Sequence, residues 1–186
     1  PFREAKCMPI SLFLDARTAG PKLPHMLHAL GHLARQWPGG YELLLVDDTD
    51  NESLASLAQQ YHATLVTSTA PTLGERLNTA VAASQGRVLL FPGSVGQPLS
   101  VWLGQRLATV EGEREWDVAV LLARPQRPMV RWFRWLQRAS PLDTFWVART
   151  WFERIGGCDP QLDSEALPDL FERLRACQAR VSIETA

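Results

Sequence analysis

Asp47 and Asp48 stand directly behind the apolar run Tyr41-Glu-Leu-Leu-Leu-Val46, which puts two carboxylates at the end of a buried strand. Carboxylates held there accept hydrogen bonds from a base N–H or from ribose hydroxyls, as acidic residues do in other nucleotide-binding α/β proteins. The same segment has a purely local use, because Asp48, Thr49 or Asp50 suits the N-cap of a helix starting near Glu52. On this segment alone both readings stay open. His25, His28 and His32 recur at i, i+3 and i+7, but with no carboxylate or thiol beside them they read as a polar helix face rather than a metal centre. Ser11, Ser94 and Cys158 form no nucleophile elbow or Cys–His arrangement. A basic stretch at 124–138 places Arg131, Arg134 and Arg138 on one helical face and Trp132, Trp135, Leu136 and Ala139 on another. It reads either as tryptophans packed on a sheet under solvated arginines, or as a membrane-surface helix facing an anionic, lipid-linked or aromatic acceptor.

The elements that must position these groups alternate in kind. Apolar runs at Ile10–Leu14, Tyr41–Val46, Ala63–Thr67 and Arg87–Phe91 are continuous, as strands covered on both faces are. Between them lie stretches of helical period. One carries Leu23, Met26, Leu27, Leu30 and Leu33; a short one carries Leu54, Leu57 and Ala58; a third runs from Thr72 to Ser84, with Gly86 expected in the C-cap role. Beyond them the pattern predicts a helix over Leu99–Val110, strands at Trp116–Leu122 and Thr144–Ala148, a helical turn at Thr150–Ile155 and a helix over Leu167–Cys177. A closing strand is expected at Val181–Ile183. This βαβαβαβ order predicts an α/β fold, a doubly wound and mostly parallel sheet with right-handed crossovers. Ligands of such sheets sit beyond the C-terminal strand ends. That rule selects the loops Asp15–Gly20, Asp47–Glu52 and Pro92–Gln97.

Composition narrows the function classes. With 186 residues, 46% of them hydrophobic, the chain has enough apolar surface for one substantial core, and a single domain over 1–186 is expected. Its nucleotide-binding half is about 8–98 and its acceptor-side half about 99–186. The net charge of −1 gives no electrostatic reason to expect a nucleic acid partner. Three cysteines without CxxC spacing read as free thiols of a reducing compartment. No apolar run reaches the ~20 residues that span a bilayer and no signal peptide is evident, so a cytoplasmic location is expected, peripheral at the inner membrane face if the Arg/Trp stretch binds lipid.

Several segments in register resemble the family 2 glycosyltransferases of small bacterial type. Val46-Asp47-Asp48-Thr49-Asp50-Asn51 is similar to their VDDGSTD motif, and 77–91 resembles the helix–strand segment NAGAAAARGDVLLFL. Asp143–Arg149 and Trp151–Gly157 resemble GDQ…FVRR…FERIGGF. The resemblance implies a GT-A fold, a nucleoside-diphosphate sugar as donor and inverting transfer by direct displacement. In that family the aspartate pair contacts base and ribose, a place held here by Asp47 and Asp48. A basic residue of the helix before the fourth strand approaches the diphosphate, and Arg76, beside Asn78, is its counterpart.

The departures are specific. The PxxNE turn reads Asp15-Ala-Arg-Thr-Ala19, and the metal-binding DxD aligns with Gly93-Ser94-Val95, where Val95 offers no oxygen ligand to a hard cation. Metal stabilisation of a diphosphate leaving group is worth several kcal/mol; Arg17, Arg76 or Arg87 would have to supply part of it. The late ED pair, whose Asp is the general base, aligns near Glu165-Ala166, so Glu165 or Asp169 is the candidate base. The resemblance thus implies Asp15, Asp47, Asp48, Arg76 and Ser94 on the nucleotide side and Arg131, Trp135 and Asp143 on the acceptor side, with no metal site. Two functions are carried forward. One is a glycosyltransferase-like protein lacking the usual DxD metal site; the other is a catalytically inactive GT-A relative serving as a binding or assembly module.

Overall fold

A computed structural model of the chain describes residues 10–35, 40–49, 52–93, 117–122 and 144–185. The strands are β1 (Ile10–Asp15), β2 (Tyr41–Asp47), β3 (Thr64–Thr67), β4 (Val88–Phe91), β5 (Val118–Leu122), β6 (Thr144–Ala148) and β7 (Val181–Thr185). The helices are α1 (Ala16–Ala19), α2 (Leu23–Arg35), α3 (Glu52–Gln60), α4 (Leu73–Ala82), α5 (Arg149–Arg154) and α6 (Ala166–Ala176), with a 3-10 turn at Gly20–Lys22 between α1 and α2. The expected helices over Leu99–Val110 and 124–138 lie outside the described residues.

Continuous apolar strands are buried on both faces because successive residues point to opposite sides. Leu12, Leu14, Leu43, Leu45, Val88 and Leu90 join one core with α2 and α3. Their alternates Phe13, Leu44, Val46, Leu89 and Phe91 join the other with α4, α5 and α6. Phe13 and Phe91 stack across adjacent strands at 5.0 Å between ring centroids. The seven strands run in the order β3-β2-β1-β4-β6-β5-β7. β1 is parallel to both β2 and β4, β2 to β3, and β5 to β7. β6 runs antiparallel to both of its neighbours. The chain moves outward from β1 to β3 with its helices on one face. It then returns through α4 on the other face to β4, as right-handed crossovers require. The order reverses between β1 and β4, and that is the topological switch point.

The structure differs locally from the sequence reading in two places. Asp15–Gly20 is not a loop: Asp15 caps the helical turn α1, its carboxylate accepting from the Thr18 backbone N–H at 2.9 Å. Ala83, not Gly86, is the C-cap of α4. Gly86 instead lets the chain pass against β1, where a Cβ would stand 2.5 Å from the Ser11 backbone nitrogen. The Gly86 and Gln85 N–H groups both donate to the Glu42 carboxylate, so a single acid at the start of β2 anchors the entry to β4.

At the far edge of the sheet, Asp117 and Arg180 tie the starts of β5 and β7 together. Arg180 donates to both Asp117 carboxylate oxygens, at 3.1 Å through Nε and 3.0 Å through Nη2. These bonds to Arg180 hold the Asp117 carboxyl below its ordinary value of 3.8. A depressed carboxyl adds stability above its unfolded-state pKa and loses it as pH falls through the folded value. Asp117→Asn is therefore expected to be less stable than wild type at neutral pH. The gap should close as pH drops below 3.8, as checked by urea midpoints measured across pH. A gap independent of pH would assign the cost to packing rather than charge.

Candidate functional site

β1 and β2 deliver their last residues, Asp15 and Asp47, to the same edge of the sheet, with Asp15 paired in register to Val46. Asp15 is occupied from two sides. Thr18 donates to its Oδ2 through both backbone N–H and hydroxyl, and Arg76 from α4 binds it as a fork, Nε to Oδ1 at 2.8 Å and Nη2 to Oδ2 at 3.1 Å. The remaining Arg76 bonds run from Nη1 to the carbonyls of Ala70 at 3.2 Å and Pro71 at 3.1 Å. The two side chains are 1% and 4% exposed. Burying two charges is costly unless both are paired and their other polar atoms bonded, and here that condition is met. The bonds to Asp15 raise the Arg76 pKa above its ordinary value against the opposing effect of burial. Arg76 therefore meets Asp15 and two carbonyls rather than open solvent, which is not the phosphate-facing placement expected from sequence.

Asp47 is buried and its Oδ1 accepts from the Thr49 N–H at 2.8 Å and hydroxyl at 2.7 Å, an Asx turn that shapes the 47–49 corner. Asp48 differs. Its Oδ2 pairs with Nη1 of Arg17 at 3.0 Å, and its Oδ1 is buried with no hydrogen-bond partner among the described residues. A carboxylate oxygen left so costs at least 1–3 kcal/mol, and it retains full capacity to accept a bond. Asp48 therefore meets Arg17 of α1; the start of α3, for which Asp48, Thr49 or Asp50 is the expected cap, follows residues 50 and 51, which lie outside the described residues.

On the other side of the switch point, β4 ends at Phe91, and the Gly93 N–H donates to Thr144 Oγ1 at 3.3 Å. Ser94, Arg131, Trp135 and Asp143 lie outside the described residues. Glu165 immediately precedes α6, exposed and without a capping bond. Asp169, in the first turn of α6, accepts from Arg173 Nε at 2.7 Å. Arg173 donates further to the carbonyls of Ile155 at 3.1 Å and Gly157 at 2.8 Å, so Asp169 helps pin α6 to that turn.

Sequence reasoning missed Asp163. Its carboxylate caps α4 from a distance, accepting from the Leu73 N–H at 3.0 Å across 90 residues. Thr72 Oγ1 donates to the Pro160 carbonyl at 2.6 Å, Gly74 N–H to Leu162 O at 2.9 Å, and Asn78 exchanges two bonds with the Cys158 backbone. The segment 157–163 is thereby clamped along α4, the helix that also carries Arg76. Nothing local marked Asp163, because its spacing from Leu73 has no meaning until the fold is formed.

Neither a family model nor a curated protein matches the sequence. Solved structures do. The mannosyltransferase PcManGT of Pyrobaculum calidifontis, in complex with GDP-Man and Mn2+, superposes with a TM-score of 0.67 at 13% identity, over 95% of this chain and 56% of that one. The fold is GT-A-like. Glucosyl-3-phosphoglycerate synthase of Mycobacterium tuberculosis, with Mn2+, UDP and glucosyl-3-phosphoglycerate, gives 0.64 at 17% identity over 97% and 71% of the two chains. Residues 1–349 of S. aureus TarS give 0.67 at 15% identity over 95% and 58%. The present chain thus spans little more than half of two of these GT-A-like structures.

Those neighbours hold Mn2+ in two cases, so the donor set of the corresponding turn matters. Pro92-Gly-Ser-Val-Gly-Gln-Pro98 contains no carboxylate and offers the Ser94 hydroxyl and Gln97 amide as its side-chain oxygens. Among the described residues no group of three His, Cys, Asp or Glu side chains is placed to hold a metal ion. This turn thus brings no carboxylate to a hard divalent cation, whose oxygen ligands commonly include carboxylates.

Proposed function

We propose that the chain binds a nucleoside-diphosphate sugar at the C-terminal ends of β1, β2 and β4 and acts as a glycosyltransferase-like protein without the usual DxD metal site. The observation that carries this reading is Asp48, a carboxylate with one buried, unpartnered oxygen at the switch point of a GT-A-like sheet. Asp47 and Asp48 would receive base or ribose donors, while Asp15 and Arg76 keep that edge rigid. In transfer with inversion, the acceptor hydroxyl oxygen attacks the anomeric carbon as the bond to the nucleoside diphosphate breaks. Glu165, exposed and with no capping bond from its side chain, would take the hydroxyl proton; Asp169 would have to give up Arg173 to do so. Arg131, Trp135 and Asp143 would border the acceptor, which a lipid-linked or membrane-surface substrate would suit.

Titration calorimetry with UDP, GDP and their sugar conjugates, each with Mn2+ or with EDTA, tests the reading. Asp48→Ala is expected to weaken binding about tenfold to a hundredfold, the worth of a charged hydrogen bond. It should raise the melting temperature of the free protein slightly, because removing a buried, unpartnered oxygen recovers about 1–3 kcal/mol while the lost pair with the exposed Arg17 is worth at most about 1 kcal/mol. Wild-type protein that binds none of these ligands at millimolar concentration would overturn the proposal. The carboxylate-free turn favours a second reading, a non-catalytic nucleotide-binding module. Binding without any release of nucleoside diphosphate from the sugar conjugates would select it.

A further inference from the structure

Three arginines are candidates for the cation that neutralises a diphosphate at this edge, and the fold separates them. Arg76 is buried, with Nε, Nη1 and Nη2 all bonded within the protein. Arg87 immediately precedes β4, at the N-terminal end of that strand. Since β4 is parallel to β1, Arg87 lies at the opposite edge of the sheet from Asp15, Asp47 and Asp48. Arg17 is at the correct edge, on α1 directly after β1. Its side chain is 59% exposed, and both of its contacts, with Asp48 Oδ2 at 3.0 Å and Pro71 O at 3.4 Å, use Nη1. Among the described residues Nε and Nη2 have no partner and are left for a ligand.

We infer that Arg17 is the phosphate-binding group of this site, recognising the diphosphate of a nucleoside diphosphate directly, in place of a divalent ion. This inference rests on the nucleotide-binding reading and adds how the charge is met. A guanidinium presents five N–H donors in a planar fork that matches phosphate oxygens, and it needs no carboxylate ligand set to hold it. The Arg17–Asp48 pair fits this role. An exposed ion pair is weak and screened, so an entering diphosphate can take over Arg17 without breaking the fold, while Asp48, 10% exposed, stays in place to accept from the nucleoside. The pair would also keep the empty site neutral.

The test compares wild type, Arg17→Ala and Arg87→Ala in calorimetric titrations with nucleoside diphosphate and with the matching nucleoside, in EDTA and in Mn2+. Expected is diphosphate binding by wild type that survives EDTA and weakens with salt. Arg17→Ala should weaken it about tenfold to a hundredfold with little change in nucleoside affinity, while Arg87→Ala should bind as wild type does. Equal diphosphate affinity in wild type and Arg17→Ala, or loss of wild-type diphosphate binding in EDTA, would overturn the assignment of Arg17 while leaving the nucleotide site standing. Absence of both nucleoside and diphosphate binding to wild type would overturn the nucleotide-binding reading and this inference with it. An unliganded melting temperature matching wild type confirms that Arg17→Ala is folded, as its exposure predicts.

Discussion

Replacing Arg76 with alanine should lower the melting temperature by about 10 °C. The substitution strands the Asp15 carboxylate, 4% exposed, with Thr18 as its remaining donor, and breaking a buried pair on one side costs about 3–5 kcal/mol. In a chain of this size each kcal/mol moves the midpoint by roughly 2–4 °C. Arg76→Lys should recover only part of the loss, because an ammonium cannot reproduce the fork to both Asp15 oxygens together with the bonds to Ala70 and Pro71. Removing both charges in Asp15→Leu/Arg76→Met should cost less than Arg76→Ala alone, since neither charge is then left uncompensated. Thermal unfolding of the four proteins ranks these costs. If Arg76→Ala unfolds within 2 °C or so of wild type yet loses nucleotide affinity, Arg76 is a ligand-facing residue and the ion pair is not what holds this edge together.

Gly74→Ala is the second large effect, and its sign runs against helix propensity. Glycine to alanine inside a helix normally stabilises by about 0.5–1 kcal/mol. Here a Cβ would overlap the carbonyl oxygen of Asp159 and stand 3.1 Å from that of Leu162. Backbone cannot swing aside as a side-chain tip can, so α4 and the 157–163 segment must part. That motion strains the bonds Leu73–Asp163, Gly74–Leu162 and Thr72–Pro160 together. Overpacking and lost bonds put the net cost at about 3 kcal/mol. Gly31→Ala supplies the control within the same chain. There the new Cβ would meet Tyr61 Cδ1 at 3.6 Å, an ordinary contact, and the usual stabilisation is expected. Urea midpoints of the two variants should move in opposite directions; a more stable Gly74→Ala would mean that the segment is not seated on α4 in solution.

The consequence for the site is that its two sides are mechanically joined through α4. Its first turn is capped by Asp163, and Arg76 reaches Asp15 at the end of β1. In its middle Asn78 holds Cys158, just before the segment that leads to Glu165. The 157–163 segment and the β1 edge at Asp15 are therefore both anchored to one helix.

The sequence by itself determined most of the strands and helices among the described residues, and that β1 to β4 form a parallel, doubly wound unit whose C-terminal strand ends lie at Asp15, Asp47 and Phe91. Those features are written at short range: runs without alternation mark strands covered on both faces, and a period of three to four marks helices that cover them. It also determined that the turn after β4 lacks carboxylates. Only the tertiary structure decided what each charge does. Asp15 and Arg76 are 61 residues apart, and as isolated residues either could face a ligand; the crossover through α4 brings them together and buries both. Asp48 and Arg17 meet only because β1 and β2 lie side by side. The sequence could not separate Arg17, Arg76 and Arg87 because all three are arginines beside apolar segments. A side chain's partner is set by which strand ends share an edge and which helix returns over them, and that information exists only once the chain has closed on itself.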